Sequence, residues 1–196
     1  MLKDLITASR SYRSFDPNVR ISRAQLADFI DCARLSPSSV NLQMLKFRPV
    51  TNNCECEALL SLTRWAGKIK DRKLPPEGHA PTAYIVICTD ENVVEHAERF
   101  QKDVGIAAQS VMLAAAEAGF GGCMIGSFSP EGVAKALALP EGILPQLVLA
   151  LGKPDETVRL VPPAPDGSVT YYRDGDLHCV QKRPLDEVII GDGKHD

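Results

Sequence analysis

VGIAAQSVMLAAAEAGFGGCMIG, residues 104–126, is the stretch that decides the architecture. Val104, Ala108, Val111, Ala115 and Ala118 recur at steps of four and three, and Ile106, Met112 and Leu113 make the remaining faces apolar too. That spacing predicts a buried helix over 104–118, with Gln109 as a core residue needing a partner. Gly119 reads as its C-cap, and Gly121–Gly126 as a strand bounded by glycines, where a flat ligand could approach the backbone. These glycines follow a helix, so neither the dinucleotide fingerprint nor the P-loop pattern is present. The helix is also too short and alanine-rich to span a membrane.

On the N-terminal side, Leu2, Leu5 and Ile6 carry a helical spacing into Arg10-Ser11-Tyr12-Arg13. That cluster offers two guanidinium forks and a hydroxyl, chemistry suited to a phosphate or to the electron-rich edge of a heterocycle. Ser22-Arg23-Ala24-Gln25 is a capping-box pattern, followed by Leu26, Phe29, Ile30 and Ala33 on one face. Pro37 closes that helix, and Pro37-Ser38-Ser39-Val40-Asn41-Leu42-Gln43 supplies hydroxyls and carboxamides that both donate and accept. Phe47-Arg48-Pro49-Val50 reads as a strand near a sheet edge because of its proline. Residues 65–81, which hold the sole tryptophan, Trp65, and the basic run Lys68–Lys73, read as a long loop or cap. Trp65 could border a ligand there or anchor a helix end. Tyr84–Cys88 has the β-branched content of a central strand.

On the C-terminal side, Ser129-Pro130-Glu131 opens another helix with a cap, a proline in its first turn and an acid to match the helix dipole. Leu147–Leu151 reads as a second buried strand. After Gly152 the chain turns proline-rich and polar through Gly167, which predicts a linker-like passage there, at the start of a C-terminal extension over 153–196. Asp174-Gly175 signals a hairpin turn. The tail Lys182-Arg183-Pro184-Leu185 ends in Val188-Ile189-Ile190, apolar enough to pack on something such as another subunit.

With 196 residues, 44% hydrophobic and 24% charged, the chain suits one soluble domain and excludes disordered and collagen-like classes. A net charge of -3 gives no drive toward nucleic acid or an anionic membrane, so any phosphate handling must be local. Six cysteines show no CxxC pair, and the four histidines fall in no ligand spacing, so the cysteines read as core residues or free thiols and no metal is expected. Met1–Ile6 lacks an uninterrupted apolar signal region, which makes the cytoplasm the expected location.

The two polar clusters, the helix and glycine-bounded strand of 105–126, and Lys182-Arg183-Pro184-Leu185-Asp186, in that order, resemble the FMN-dependent nitroreductase family over about residues 5–190. The resemblance implies an α+β fold, a central mainly antiparallel sheet wrapped by helices, and a homodimer whose C-terminal extension embraces the partner. It further implies two FMN molecules bound across the interface. By motif, Arg10, Ser11 and Arg13 would meet the phosphate, ribityl chain and pyrimidine edge, while Pro37, Ser38, Ser39, Asn41 and Gln43 would reach the flavin from the other subunit. Ile125 and Gly126 would face the ring near N5 through backbone amides, and Lys182 with Arg183 would supply a further phosphate ligand. The implied activity is hydride transfer from NADH or NADPH to a nitroaromatic, quinone or other conjugated acceptor, with Arg13 stabilising charge on the reduced ring. Family chemistry also includes reductive dehalogenation and flavin cleavage, and a non-enzymatic flavin protein is the remaining alternative.

Overall fold

A computed structural model describes residues 1–67, 69, 72–93 and 97–191. In chain order its elements are α1 (Leu2–Ala8), β1 (Phe15–Asp16), α2 (Arg23–Arg34), β2 (Leu45–Val50), α3 (Asn53–Leu62) and β3 (Ala83–Asp90). Then come α4 (Gln101–Glu117), β4 (Gly121–Ile125), α5 (Pro130–Ala136), β5 (Ile143–Pro154), β6 (Thr157–Val161), β7 (Tyr172–Asp174) and β8 (Leu177–Gln181). The fold is α+β, and every pairing in its five-stranded main sheet is antiparallel.

The long strand β5 organises that sheet. One edge carries β3, with Tyr84 opposite Ala150 and Val86 opposite Val148, and the other carries β4 and then β1. β2 pairs only with β3, which leaves Pro49 on an edge strand where its missing N–H costs no ladder bond. Each residue of β3 is buried, because helices cover both sides of the sheet. Ile85, Ile87, Leu149 and Leu151 pack with Leu26 and Phe29 of α2 and with Val104, Ala108 and Val111 of α4. Tyr84, Val86, Val148 and Ala150 point the opposite way, onto Leu59 of α3 and Val133 of α5. The two-residue period of the strands thus divides the core into two layers.

The helix ends form for local reasons. At α2 the Ser22 hydroxyl accepts from the Gln25 N–H at 3.2 Å and the Gln25 side chain accepts from the Ser22 N–H at 2.9 Å, a complete capping box. Ser129 caps α5 by accepting from the Gly132 N–H. Gly119 leaves α4 at φ +77°, the left-handed conformation that a glycine adopts without strain.

Three expectations need correction. The helix predicted to be buried all round is buried only through Val104, Ala107, Ala108, Val111, Met112 and Ala115, while Ile106 and Gln109 are exposed. A period of 3.6 places residues 106 and 109 together on the side away from the sheet. Second, the 152–167 passage is not a linker throughout, since β5 runs to Pro154 and β6 follows. β6 pairs in parallel with β8, and β7 in antiparallel, as a small second sheet tied back to the N-terminal segment by the Asp155 N–H donating to the Ser14 carbonyl at 3.0 Å. The hairpin signal was sound, with Asp174 opposite Leu177 across the Gly175-Asp176 turn, but the β-branched residues of 157–161 were outweighed by the surrounding prolines. Third, Gly121 and Gly122 do not open a ligand approach. An added Cβ would lie 2.5 Å from Tyr12 Cδ2 at one and 2.2 Å from the Ala150 carbonyl oxygen at the other, so these glycines serve packing. Gly126, at the end of this stretch, faces open space instead, with nothing within 4 Å of an added Cβ.

Candidate functional site

Arg10-Ser11-Tyr12-Arg13 leaves α1 as an extended segment alongside β4, with a parallel bridge from Ser11 to Gly122 and the Tyr12 N–H donating to the Gly122 carbonyl at 2.9 Å. Arg10, Ser11 and Arg13 of this segment line a cavity of about 330 Å³. The second sheet forms another wall through Tyr171, His178, Val180 and Lys182, and Gln109, Met112 and Met124 complete it.

Three cations meet here, and no carboxylate lines the cavity among the described residues. Arg10 donates from Nη2 to the Ile6 carbonyl at 2.5 Å, and Arg13 from Nη1 to the Ser11 carbonyl at 3.2 Å. The Arg13 guanidinium also lies over the Tyr171 ring, 5.2 Å from its centroid. Both arginine Nε–H groups are buried without a partner. Behind them Glu156, just before β6, accepts from the Arg13 backbone N–H and from the Arg173 side chain, which fixes the second sheet against the segment. Two orphan guanidinium donors beside a lysine form a receptor for a multiply charged oxyanion. The donor set fits the phosphate of FMN.

The 37–43 cluster lies elsewhere. Pro37, Ser38 and Gln43 line a separate cavity of about 120 Å³ with Phe47, Asp103 and Ala107. Ser39 is held by Asp103 of α4, whose buried carboxylate accepts from the Ser39 N–H at 3.0 Å and from its hydroxyl at 2.7 Å. Beyond it the backbone is left-handed at Val40, Asn41 and Gln43, with φ of 45°, 55° and 50°. Left-handed backbone is strained for a β-branched residue such as Val40. Asn41 is exposed and accepts from Gln43 Nε2 at 3.3 Å.

Of the remaining expected residues, Ile125 buries its side chain in the core and offers only backbone, while Gly126 is exposed just after β4. Arg183 lies outside the Arg10–Arg13 cavity, donating to Glu187 at 3.0 Å. Gln109, read as a core residue, lines that cavity instead. Trp65 lies outside it as well. Its Nε1–H donates to the Thr63 hydroxyl at 3.0 Å and its ring packs on the α3–α5 side of the core. Lys68, Lys70 and Asp71 of the basic run lie outside the described residues.

Four of the six cysteines, Cys56, Cys88, Cys123 and Cys179, are buried as the core reading expects, and Cys32 and Cys54 are exposed. Burial pushes the Cys56 thiol up to about 11 and Cys88 to about 12, which leaves both protonated and poor nucleophiles. His178 moves the other way, to about 4, because burial and the adjacent Arg13 and Arg173 oppose a positive charge.

Comparison with known proteins converges on one group. The model of the nitroreductase family matches residues 6–153. A Bacillus subtilis protein named "Putative NAD(P)H nitroreductase YodC" is 27% identical over 180 residues, covering 76% of this chain and 88% of that protein. A nitroreductase family protein from Streptococcus pneumoniae TIGR4 superposes with a TM-score of 0.69 at 18% identity, covering 97% of this chain and all of the other. An FMN-dependent nitroreductase from Clostridium difficile R20291 does so with a TM-score of 0.60 at 24% identity, covering 78% and 87%. At such identities the structural likeness concerns the fold alone. Among the described residues, no helix is long and apolar enough to cross a membrane.

Proposed function

The chain belongs to the nitroreductase family and is an oxidoreductase, and on that premise we propose that it binds FMN as a homodimer and passes hydride from NADH or NADPH to a conjugated acceptor such as a nitroaromatic or a quinone. The observation that carries this reading is the cavity where Arg10, Arg13 and Lys182 converge with two buried, unpaired guanidinium N–H groups beside β4. When bound, FMN would supply a ring able to take up hydride and give it out again.

The chain's own residues do the rest. Arg10 and Lys182 hold the phosphate, and Ser11 supplies a hydroxyl to the polar chain beyond it. Arg13, held over Tyr171 and by the Ser11 carbonyl, would offer a fixed positive charge to a bound flavin, and such preorganised charge lowers the cost of reduction. Gly126 leaves the backbone after β4 open to a flat ring. A donor and an acceptor that share this one site in turn would give ping-pong kinetics.

The homodimer is supported by the loop of residues 37–43. Leu35, Val40 and Ile106 are exposed around it, and the Ser36–Ser110 hydroxyl contact of 2.7 Å and the Asp103–Ser39 bonds tie these apolar residues into one surface. Residues 37–43 would then reach the partner's flavin, and Val188, Ile189 and Ile190, all exposed, would cover the partner. A purified sample should show flavin absorbance and should oxidise NADH or NADPH when a quinone is added. A colourless protein that takes up no FMN after reconstitution would refute the reading.

A further inference from the structure

We propose that His178 is a ligand of the ribityl chain of the cofactor, a role that rests on the flavin reading above. His178 lies on β8, opposite Arg173 of β7 and beside Val158 of β6. Its side chain is only 1% exposed, yet neither ring nitrogen has a hydrogen-bond partner. It lines the same cavity as Arg10, Arg13 and Lys182. Its place there is well determined: Tyr171 meets the imidazole edge-on at 5.6 Å, and the opposing Arg13 rests on that same phenol ring. Two unsatisfied nitrogens on one buried ring call for a ligand that supplies both kinds of partner.

The chemistry narrows that ligand to a hydroxyl. Burial and the flanking Arg13 and Arg173 keep His178 neutral, and a neutral imidazole carries one N–H donor and one acceptor lone pair. A phosphate dianion only accepts, so it would leave the second nitrogen unpaired, and Arg10 and Lys182 already serve it. A polyol hydroxyl both donates and accepts, and the ribityl chain carries several. His178 thus grips the cofactor between its phosphate and its ring.

The test compares FMN with riboflavin, which keeps the ribityl chain and lacks the phosphate, in titrations of flavin-free protein. His178→Phe should weaken both ligands by a similar factor of about ten, equivalent to about 1.4 kcal/mol. His178→Gln should recover part of that loss, because a carboxamide also donates and accepts. Ligand-free His178→Phe should melt no lower than wild type, since it removes an unsatisfied polar ring. Weakening confined to FMN would move His178 to the phosphate and overturn the proposal. So would unchanged affinities, or weakening with a lowered melting temperature and no recovery by glutamine. Wild-type protein that binds neither flavin would instead defeat the flavin reading itself. Should a variant fail to fold, riboflavin added to wild type should shift the imidazole ¹⁵N resonances of His178, and unmoved resonances would overturn the proposal.

Discussion

The two polar clusters are built on opposite principles. Arg10-Ser11-Tyr12-Arg13 is anchored against β4 and the second sheet, yet it leaves two buried guanidinium N–H groups unpaired. In residues 37–43 Asp103 already takes the Ser39 N–H and hydroxyl, only the Ser38 hydroxyl is buried without a partner, and the loop beyond is exposed and left-handed. On the proposed reading, the first region is a receptor for an anion and the second a probe aimed outward. The difference shows how a site could be divided in the proposed homodimer: each chain would carry one socket and one probe, and the probe would complete a socket in the partner.

The largest effect should come from emptying the socket. Arg10→Ala with Lys182→Ala removes two charge-assisted contacts to the phosphate, each worth roughly 1.5–3 kcal/mol, so FMN affinity should fall at least a hundredfold in fluorescence titration. Wild-type affinity in that double variant would break the comparison at its first term. On the probe side, Asp103→Ala strands a part-buried N–H and hydroxyl at Ser39 and should lower unfolding free energy by about 1–3 kcal/mol, read from the denaturant midpoint. Asp103→Asn, which keeps one acceptor, should lose less. If both variants unfold at the wild-type midpoint, Asp103 does not hold the loop.

Trp65 sharpens the comparison by belonging to neither region. Its ring packs on the core and its N–H meets Thr63, so Trp65→Ala should destabilise the fold by about 1–3 kcal/mol while scaling activity toward all acceptors alike. A changed ranking of small against large acceptors, measured at matched stability, would return this residue to the border of the ring.

Much of this was legible in the sequence wherever the signal is local. The capping box at Ser22, the glycine exit at residue 119, the edge position of Pro49 and the turn after Asp174 each depend on a few neighbouring residues, and each appears in the fold. The cation cluster was legible for the same reason. What escaped was set by distant partners. Glu156 and Asp103 carry no local signal, because nothing in their sequence neighbourhoods reveals Arg173 or Ser39. Gln109 was mistaken for core because an alanine-rich helix hides which face it exposes. His178 could have been found, since the two-residue turn places it opposite Arg173, but a neutral histidine in a short strand carries no mark of the cavity behind it.

The division into socket and probe is tested most directly by a heterodimer. One protomer would carry Arg10→Ala with Lys182→Ala, the other Asn41→Ala with Gln43→Ala, each bearing its own affinity tag so that only mixed dimers are recovered. If each site takes its cations from one chain and its loop from the other, both defects fall in the same site and the second site is wild type. The heterodimer should then bind about one FMN where the wild-type dimer binds about two, although either variant alone binds little. A heterodimer as empty as its parents would contradict the account, because it would mean that cations and loop serve a flavin held within a single chain.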